Sequence, residues 1–109
     1  MQNLDVQVLV KALDDMKAEN ISTLDVRQHA SIMDYLIIAC GTSSKHVQSL
    51  ANLLLEKAKD LKIKPLGIEG AAYGEWILVD LGDIVVHLML EETRDFYNLE
   101  KLWHIEAAA

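Results

Sequence analysis

The segment Glu75–Leu90, EWILVDLGDIVVHLML, limits the possible folds more than any other part of the chain. Two β-rich runs flank Gly82-Asp83, a two-residue turn signal, so the segment reads as a β-hairpin. With that turn as the loop, Leu81 faces Ile84, Val79 faces Val86 and Ile77 faces Leu88, which makes one aliphatic face. The other face pairs Asp80 with Val85, Leu78 with His87 and Trp76 with Met89. A sheet needs one apolar face to form a core. A second, carrying a Trp, a Met, a His and an Asp, must be covered by helices or by a partner.

A chain of 109 residues with 51% hydrophobic content holds enough apolar surface for one core. We expect one domain over residues 1–106, with 107–109 an uninformative tail. The single Cys40 has no partner within the chain, which fits a reducing compartment. The N-terminus lacks a basic-plus-apolar signal pattern, and no apolar stretch approaches the roughly 20 residues a membrane helix needs, so the expected location is the cytoplasm. The net charge of −7 disfavours holding nucleic acid by its backbone, which takes a basic stripe. Lys57, Lys59, Lys62 and Lys64 are the only close group of cations, and they read as the solvated side and end of a helix. An acidic chain is drawn instead to a basic protein.

Leu4, Val8, Leu9, Ala12, Leu13 and Met16 recur at helical spacing and predict an amphipathic helix over Asn3–Glu19, with Asn20 as its stop. Ser22–Arg27 reads as a short strand and Gln28–Ser31 as a polar turn. The nearly continuous apolar run Met33–Cys40 fits a central strand buried on both sides. Gly41-Thr42-Ser43-Ser44 breaks that run and supplies helix N-cap residues. Val47, Leu50, Ala51, Leu54, Ala58 and Leu61 mark one face of a second helix, from Lys45 to Lys62. Pro65–Glu69 can form a third strand, Gly70–Gly74 is a small-residue loop, and the hairpin follows. A last helix is expected over Thr93–Trp103, with Phe96, Leu99 and Trp103 inward and Lys101 suiting its C-terminal dipole. The order αββαβββα implies an α/β (α+β-like) fold, a mixed sheet flanked by helices.

Three features invite a chemical reading. Gly41–Ser44, between a buried strand and a helix, is where an α/β protein would cradle a phosphate, but the P-loop and dinucleotide fingerprints are both absent. Asp80 and Asp83 look like a pair of metal carboxylates. They are three apart and straddle the Gly82 turn, so they are not both directed to one face, and Asp83 is better explained as a turn residue. His29, His46, His87 and His104 show no ligand spacing, and Cys40 lies in a strand rather than at an exposed helix start. We therefore expect no catalytic residue, cofactor or metal. Trp76 and Met89 read either as packing under a helix or as interface anchors, with acidic Asp80, Glu91 and Glu92 along or beside the same hairpin.

Several spaced motifs together resemble one family. They are Asp25-Val with Asp34-Tyr-Leu-Ile-Ile, Gly41-Thr-Ser-Ser-Lys-His-Val, Leu66-Gly-Ile-Glu-Gly, Trp76-Ile-Leu-Val-Asp-Leu-Gly-Asp-Ile-Val-Val-His87, and Leu99-Glu-Lys-Leu-Trp103. In this order they closely resemble the ribosomal silencing factor S, or Iojap-like, family over about residues 3–103. The resemblance implies a nucleotidyltransferase-like fold without that enzyme's metal carboxylates, and no enzymatic activity. It also implies binding to the large ribosomal subunit through ribosomal protein fourteen, a block on joining by the small subunit, and a homodimer when free. The binding face carried over from the family falls on Trp76, Leu78, Asp80, His87 and Met89, with Leu81 and Glu91 at its edge. On that reading Trp76→Ala or Met89→Glu leaves the fold intact and weakens ribosome binding. Two competing readings stand beside it: a divergent nucleotidyltransferase using Ser43, Ser44 and the Asp80 region, and a dimerisation module whose interface is the second hairpin face.

Overall fold

A computed structural model of the chain describes residues 3–28 and 33–98. Its elements are α1 (Asn3–Asp15), β1 (Glu19–Asp25), β2 (Tyr35–Gly41), α2 (Ser44–Asp60), β3 (Gly67–Glu69), β4 (Trp76–Asp80), β5 (Ile84–Leu90) and α3 (Glu91–Tyr97). The expected order αββαβββα is therefore observed. The strands form one mixed sheet in the spatial order β1-β2-β5-β4-β3, with β2 and β5 parallel at its centre and the other neighbours antiparallel. The hairpin register is the one read from the sequence, with Trp76 opposite Met89, Leu78 opposite His87 and Asp80 opposite Val85.

Strict alternation sorts the central strands into two faces. Tyr35, Ile37 and Ala39 of β2, Ile77 and Val79 of β4, and Ile84, Val86 and Leu88 of β5 meet α1 and α2 in the larger core. Both long helices thus cover the same face. From α2 come Val47, Leu50, Ala51, Leu54 and Ala58, as its spacing predicts, with Leu61 partly buried beside them. In α1 the buried residues are Val6, Leu9, Ala12 and Leu13, while Leu4 and Met16, both expected to face inward, are exposed. The opposite face holds a second, smaller core of Leu24, Val26, Met33, Leu36, Ile38 and Met89.

The first helix stops at Asp15, four residues before its expected end. The cause is a Schellman turn. Lys17 adopts the left-handed conformation (φ 65°), its N–H donates to the Asp14 carbonyl, and the Ala18 N–H donates to that of Leu13. Glycine is the usual residue at this position, so a lysine gives no warning of the stop. The freed residues let β1 begin at Glu19 rather than Ser22. The same device ends α2, with Lys62 left-handed (φ 60°) and the Ile63 N–H donating to the Ala58 carbonyl.

The last helix begins two residues before the expected Thr93 and ends at Tyr97. Asn98 is left-handed there (φ 48°) and its N–H donates to the Arg94 carbonyl. Phe96, expected on the inner side, is 82% exposed. The remaining expectations for Leu99, Lys101, Trp103, His29, His104, most of the Gln28–Ser31 turn and the 107–109 tail fall outside the described residues.

Candidate functional site

The second face of the sheet is closed over one half and open over the other. Toward β1, Leu24 together with Val26 and Met33 from the β1–β2 connection packs over Leu36, Ile38 and Met89. Toward β3, the side chains of Trp76, Leu78, Asp80, Val85 and His87 are only half-buried, and Gly67 and Glu69 of the edge strand are exposed. Register aligns these residues in rows across the strands: Glu69 beside Leu78 and Leu78 beside His87, with Gly67 beside Asp80 and Asp80 beside Val85. The open half is an apolar strip carrying acidic and imidazole groups.

The face assigned from the sequence is thereby corrected. Trp76, Leu78, Asp80 and His87 lie together on the open strip. Met89 has 0% of its surface exposed and Leu81 only 3%, so neither can touch a partner. Met89 points to the same face as Trp76 but sits in the closed half, among Leu36 and Ile38. Leu81 follows β4 on the helix-covered side and belongs to the larger core. Met89→Glu therefore cannot leave the fold intact, because it would bury a carboxylate in the second core. Glu91 lies beyond the strip at the start of α3, where its Oε1 accepts from the Asn20 side-chain amide (3.0 Å).

Trp76 is held from two directions. Its indole Nε1–H donates to His87 Nδ1 at 2.8 Å, and its ring lies 4.7 Å from that of Tyr97, centroid to centroid. Tyr97 in turn meets the Phe96 ring edge-to-face at 5.0 Å. These rings, with exposed Tyr73 and the carboxylate-bearing Glu75 and Glu92, line an open groove of about 610 Å³ between α3 and the β3–β4 loop. Gly70 shapes the loop's start: it is left-handed (φ 84°), and a Cβ there would stand 2.1 Å from the Trp76 carbonyl oxygen. Gln48 of α2 fixes the same loop by donating to the Ala71 carbonyl (2.9 Å).

Arg94 anchors α3 over the strand ends. Its buried guanidinium donates to the Asn20 carbonyl, to Ser22 Oγ (2.7 Å) and to Cys40 Sγ (3.5 Å). Sequence reasoning singled out none of Tyr73, Arg94 or Tyr97 and put Phe96 inside. The available signal was four aromatic residues within two short segments, 73–76 and 96–97, with Glu75 inside the first and Asp95 just before the second.

The turn that resembles a phosphate cradle is already occupied by its own hydrogen bonds. The Thr42 N–H donates to His46 Nδ1 (2.9 Å), the His46 N–H to Ser43 Oγ (3.1 Å) and the Val47 N–H to the Ser43 carbonyl (2.9 Å). Glu19, Glu91 and Glu92 line the depression beside it, so the local charge repels an anion. Asp80 Oδ1 accepts the Gly82 N–H (2.9 Å), which makes it a turn-forming carboxylate, and Asp83 is exposed in the same turn. Among the described residues, no three His, Cys, Asp or Glu side chains gather as a metal site. No helix among them is long and apolar enough to cross a membrane.

Comparison with known proteins agrees with this architecture. A family model described as "Ribosomal silencing factor during starvation" matches residues 2–109. The ribosomal silencing factor RsfS of Haemophilus influenzae is 42% identical over 98 residues, covering 90% of this chain and 96% of that protein. A mouse protein named "Mitochondrial assembly of ribosomal large subunit protein 1" is 37% identical over 106 residues, covering 94% of this chain and 46% of its own length. The crystal structure of a Chromobacterium violaceum protein superposes with a TM-score of 0.93 at 38% identity, covering 97% of this chain and 89% of that one. The bacterial relatives carry the names of regulatory factors rather than of enzymes.

Proposed function

Since the chain belongs to the ribosomal silencing factor family, we propose that it binds the large ribosomal subunit through ribosomal protein fourteen and thereby blocks joining by the small subunit. The contact is made by the open half of the second sheet face, centred on Trp76, Leu78, Asp80 and His87 and extended by the aromatic groove beside α3. The observation that carries this reading is that groove with its floor: Trp76, Tyr97, Phe96 and Tyr73 exposed or half-exposed together, ringed by Glu75 and Glu92. Aromatic anchors surrounded by charge are the usual source of affinity in protein interfaces. Proteins that hold RNA are basic, so carboxylates around the groove steer toward such a partner and away from RNA itself. The name of the mouse relative, which refers to the large subunit, favours the same half of the ribosome.

The mechanism is steric. No bond is made or broken, and occupancy of one surface excludes a second partner from it. The free chain is a homodimer and acts in the cytoplasm on this reading. The test is co-sedimentation of the purified chain with isolated large and small subunits, with subunit joining followed in the same gradients. The chain is expected with the large subunit only, with fewer joined ribosomes. Trp76→Ala, and Leu78→Lys at the likewise half-buried neighbour in the strip, should each weaken binding by more than about tenfold while the circular dichroism spectrum is kept. Folded variants of both kinds that bind as the parent does would refute this face.

A further inference from the structure

Two histidines are fixed in the same manner and differ in what their second nitrogen does. His46 accepts the Thr42 backbone N–H at Nδ1, so its Nε2 carries the proton and donates to the Met16 carbonyl at 2.9 Å, joining α2 to the end of α1. His87 accepts the Trp76 indole N–H at Nδ1. An indole nitrogen can only donate, so Nδ1 of His87 is the bare nitrogen and Nε2 bears the proton. That proton has no acceptor among the described residues. Nor is Nε2 sealed in, since among the described residues no buried side-chain nitrogen is left without a partner.

The surroundings define what the donor can meet. His87 lies between Ile38 of β2 and Leu78 of β4, with Glu69 of β3 in the same row. Asp80 is one row away with a carboxylate oxygen turned to the Gly82 N–H, and Glu75 and Glu92 flank the groove beyond Trp76. A carboxylate arriving here would meet like charge on three sides. A neutral carbonyl oxygen would meet a directed N–H on an apolar strip, which strengthens the bond as water is excluded. Burial lowers the His87 pKa to about 4, so the donor is uncharged and constant across neutral pH.

We propose that His87 is a specificity-determining donor of this face, its Nε2–H held by Trp76 to read a backbone carbonyl of the docked protein. The proposal rests on the docking reading above. It splits the role of Trp76 in two: the ring anchors the partner, and the indole N–H fixes which imidazole nitrogen faces it.

Asparagine and glutamine separate those roles. His87→Asn places an amide oxygen near the Nδ1 position, keeping an acceptor for Trp76 and losing the outward donor. His87→Gln places an N–H near the Nε2 position and loses the acceptor. Binding of each full-length variant to isolated large subunits is measured beside its melting temperature, and the ring tautomer of the parent is read from long-range ¹H–¹⁵N spectra. We expect the Nε2–H tautomer, binding of H87N weakened by about tenfold with melting nearly unchanged, and binding of H87Q within about threefold despite a lower melting temperature. An Nδ1–H tautomer, the reverse order of binding, or indifference to H87N in a chain that binds would overturn this inference alone. A parent chain that does not sediment with the large subunit would overturn it together with the reading it rests on.

Discussion

The two faces of the sheet use alternate residues of the same strands, yet one is a finished core and the other is finished over only half its width. Under α1 and α2, the inward positions of β2, β4 and β5 are buried and aliphatic apart from Tyr35 and Gly41 of β2 and the partly buried Leu90 at the end of β5. On the opposite side the burial divides near β5, where Met89 is sealed and His87 two residues earlier is not. The difference teaches that an apolar stripe in a strand does not tell which of its members is structural. What decides is the covering element, which for the closed half is the β1–β2 connection, with α3 anchored by Arg94 over the ends of β1 and β2.

The largest effect expected from this contrast is at Met89. If the closed half is a true core, Met89→Ala should cost about 2–5 kcal/mol in urea denaturation, as Leu88→Ala should on the other face. Met89→Glu should prevent folding at neutral pH altogether. A cost for Met89→Ala near that of a surface change would break the comparison and return Met89 to the candidate contacts.

His87 gives a pH-dependent test of the open half. Its pKa is lowered from 6.5 in the unfolded chain to about 4 in the folded one, because burial disfavours the charged ring. The unfolded chain therefore takes up a proton first as pH falls. The stability that follows from this is fully present above pH 6.5 and is lost progressively as pH falls toward 4, by about 3 kcal/mol at most. Protonation would also remove the acceptor that holds the Trp76 indole. Urea midpoints measured from pH 7.5 to 4.5 should fall less steeply in H87N than in the parent. Equal slopes would show that His87 is more open to water than its place in the sheet indicates.

Arg94 tests what holds the covering element. Its donors reach a carbonyl and a hydroxyl of β1 and the thiol of β2. Arg94→Ala should cost about 2 kcal/mol. It should also raise amide exchange across Glu91–Tyr97, while α1 and α2 exchange as before. Equal increases in all three helices would mean that α3 belongs to the same cooperative unit as the main core.

The parts of this fold legible in the sequence were those set by local chemistry. Gly82-Asp83 fixed the hairpin register because the side-chain period of a strand is two and the turn leaves one alignment. The α2 face followed from its spacing, and its start from Ser43, whose hydroxyl accepts the His46 N–H. The end of α1 was not legible, since Lys17 occupies a position that usually signals itself with glycine. Of the residues placed on the binding face, Trp76, Leu78, Asp80 and His87 share the open strip. Met89 does not, because alternation gives the face and not the cover, and Leu81 does not, because alternation puts it on the helix-covered face. Arg94 was invisible for a related reason: its partners Asn20 and Ser22 are 74 and 72 residues distant in the chain.

The smallest expected effect sharpens the same contrast from the helix-covered side. Lys62 ends α2 in a left-handed conformation that costs a residue with a Cβ about 1 kcal/mol relative to glycine. Its side chain is exposed, so little packing is lost on removing it. Glycine also gains freedom in the unfolded chain, which offsets part of the benefit, and Lys62→Gly should stabilise by about 0.5 kcal/mol. Lys17 has the same geometry, but the carbonyl before it accepts from His46, so a change there would mix two effects. Lys62 is thus the cleaner position. Lys62→Gly should raise the melting temperature slightly and leave large-subunit binding unaltered, because α2 packs on the face turned away from the open strip. A change in binding without a loss of fold would show that the helix-covered side also takes part in docking, and the division of labour between the two faces would fail.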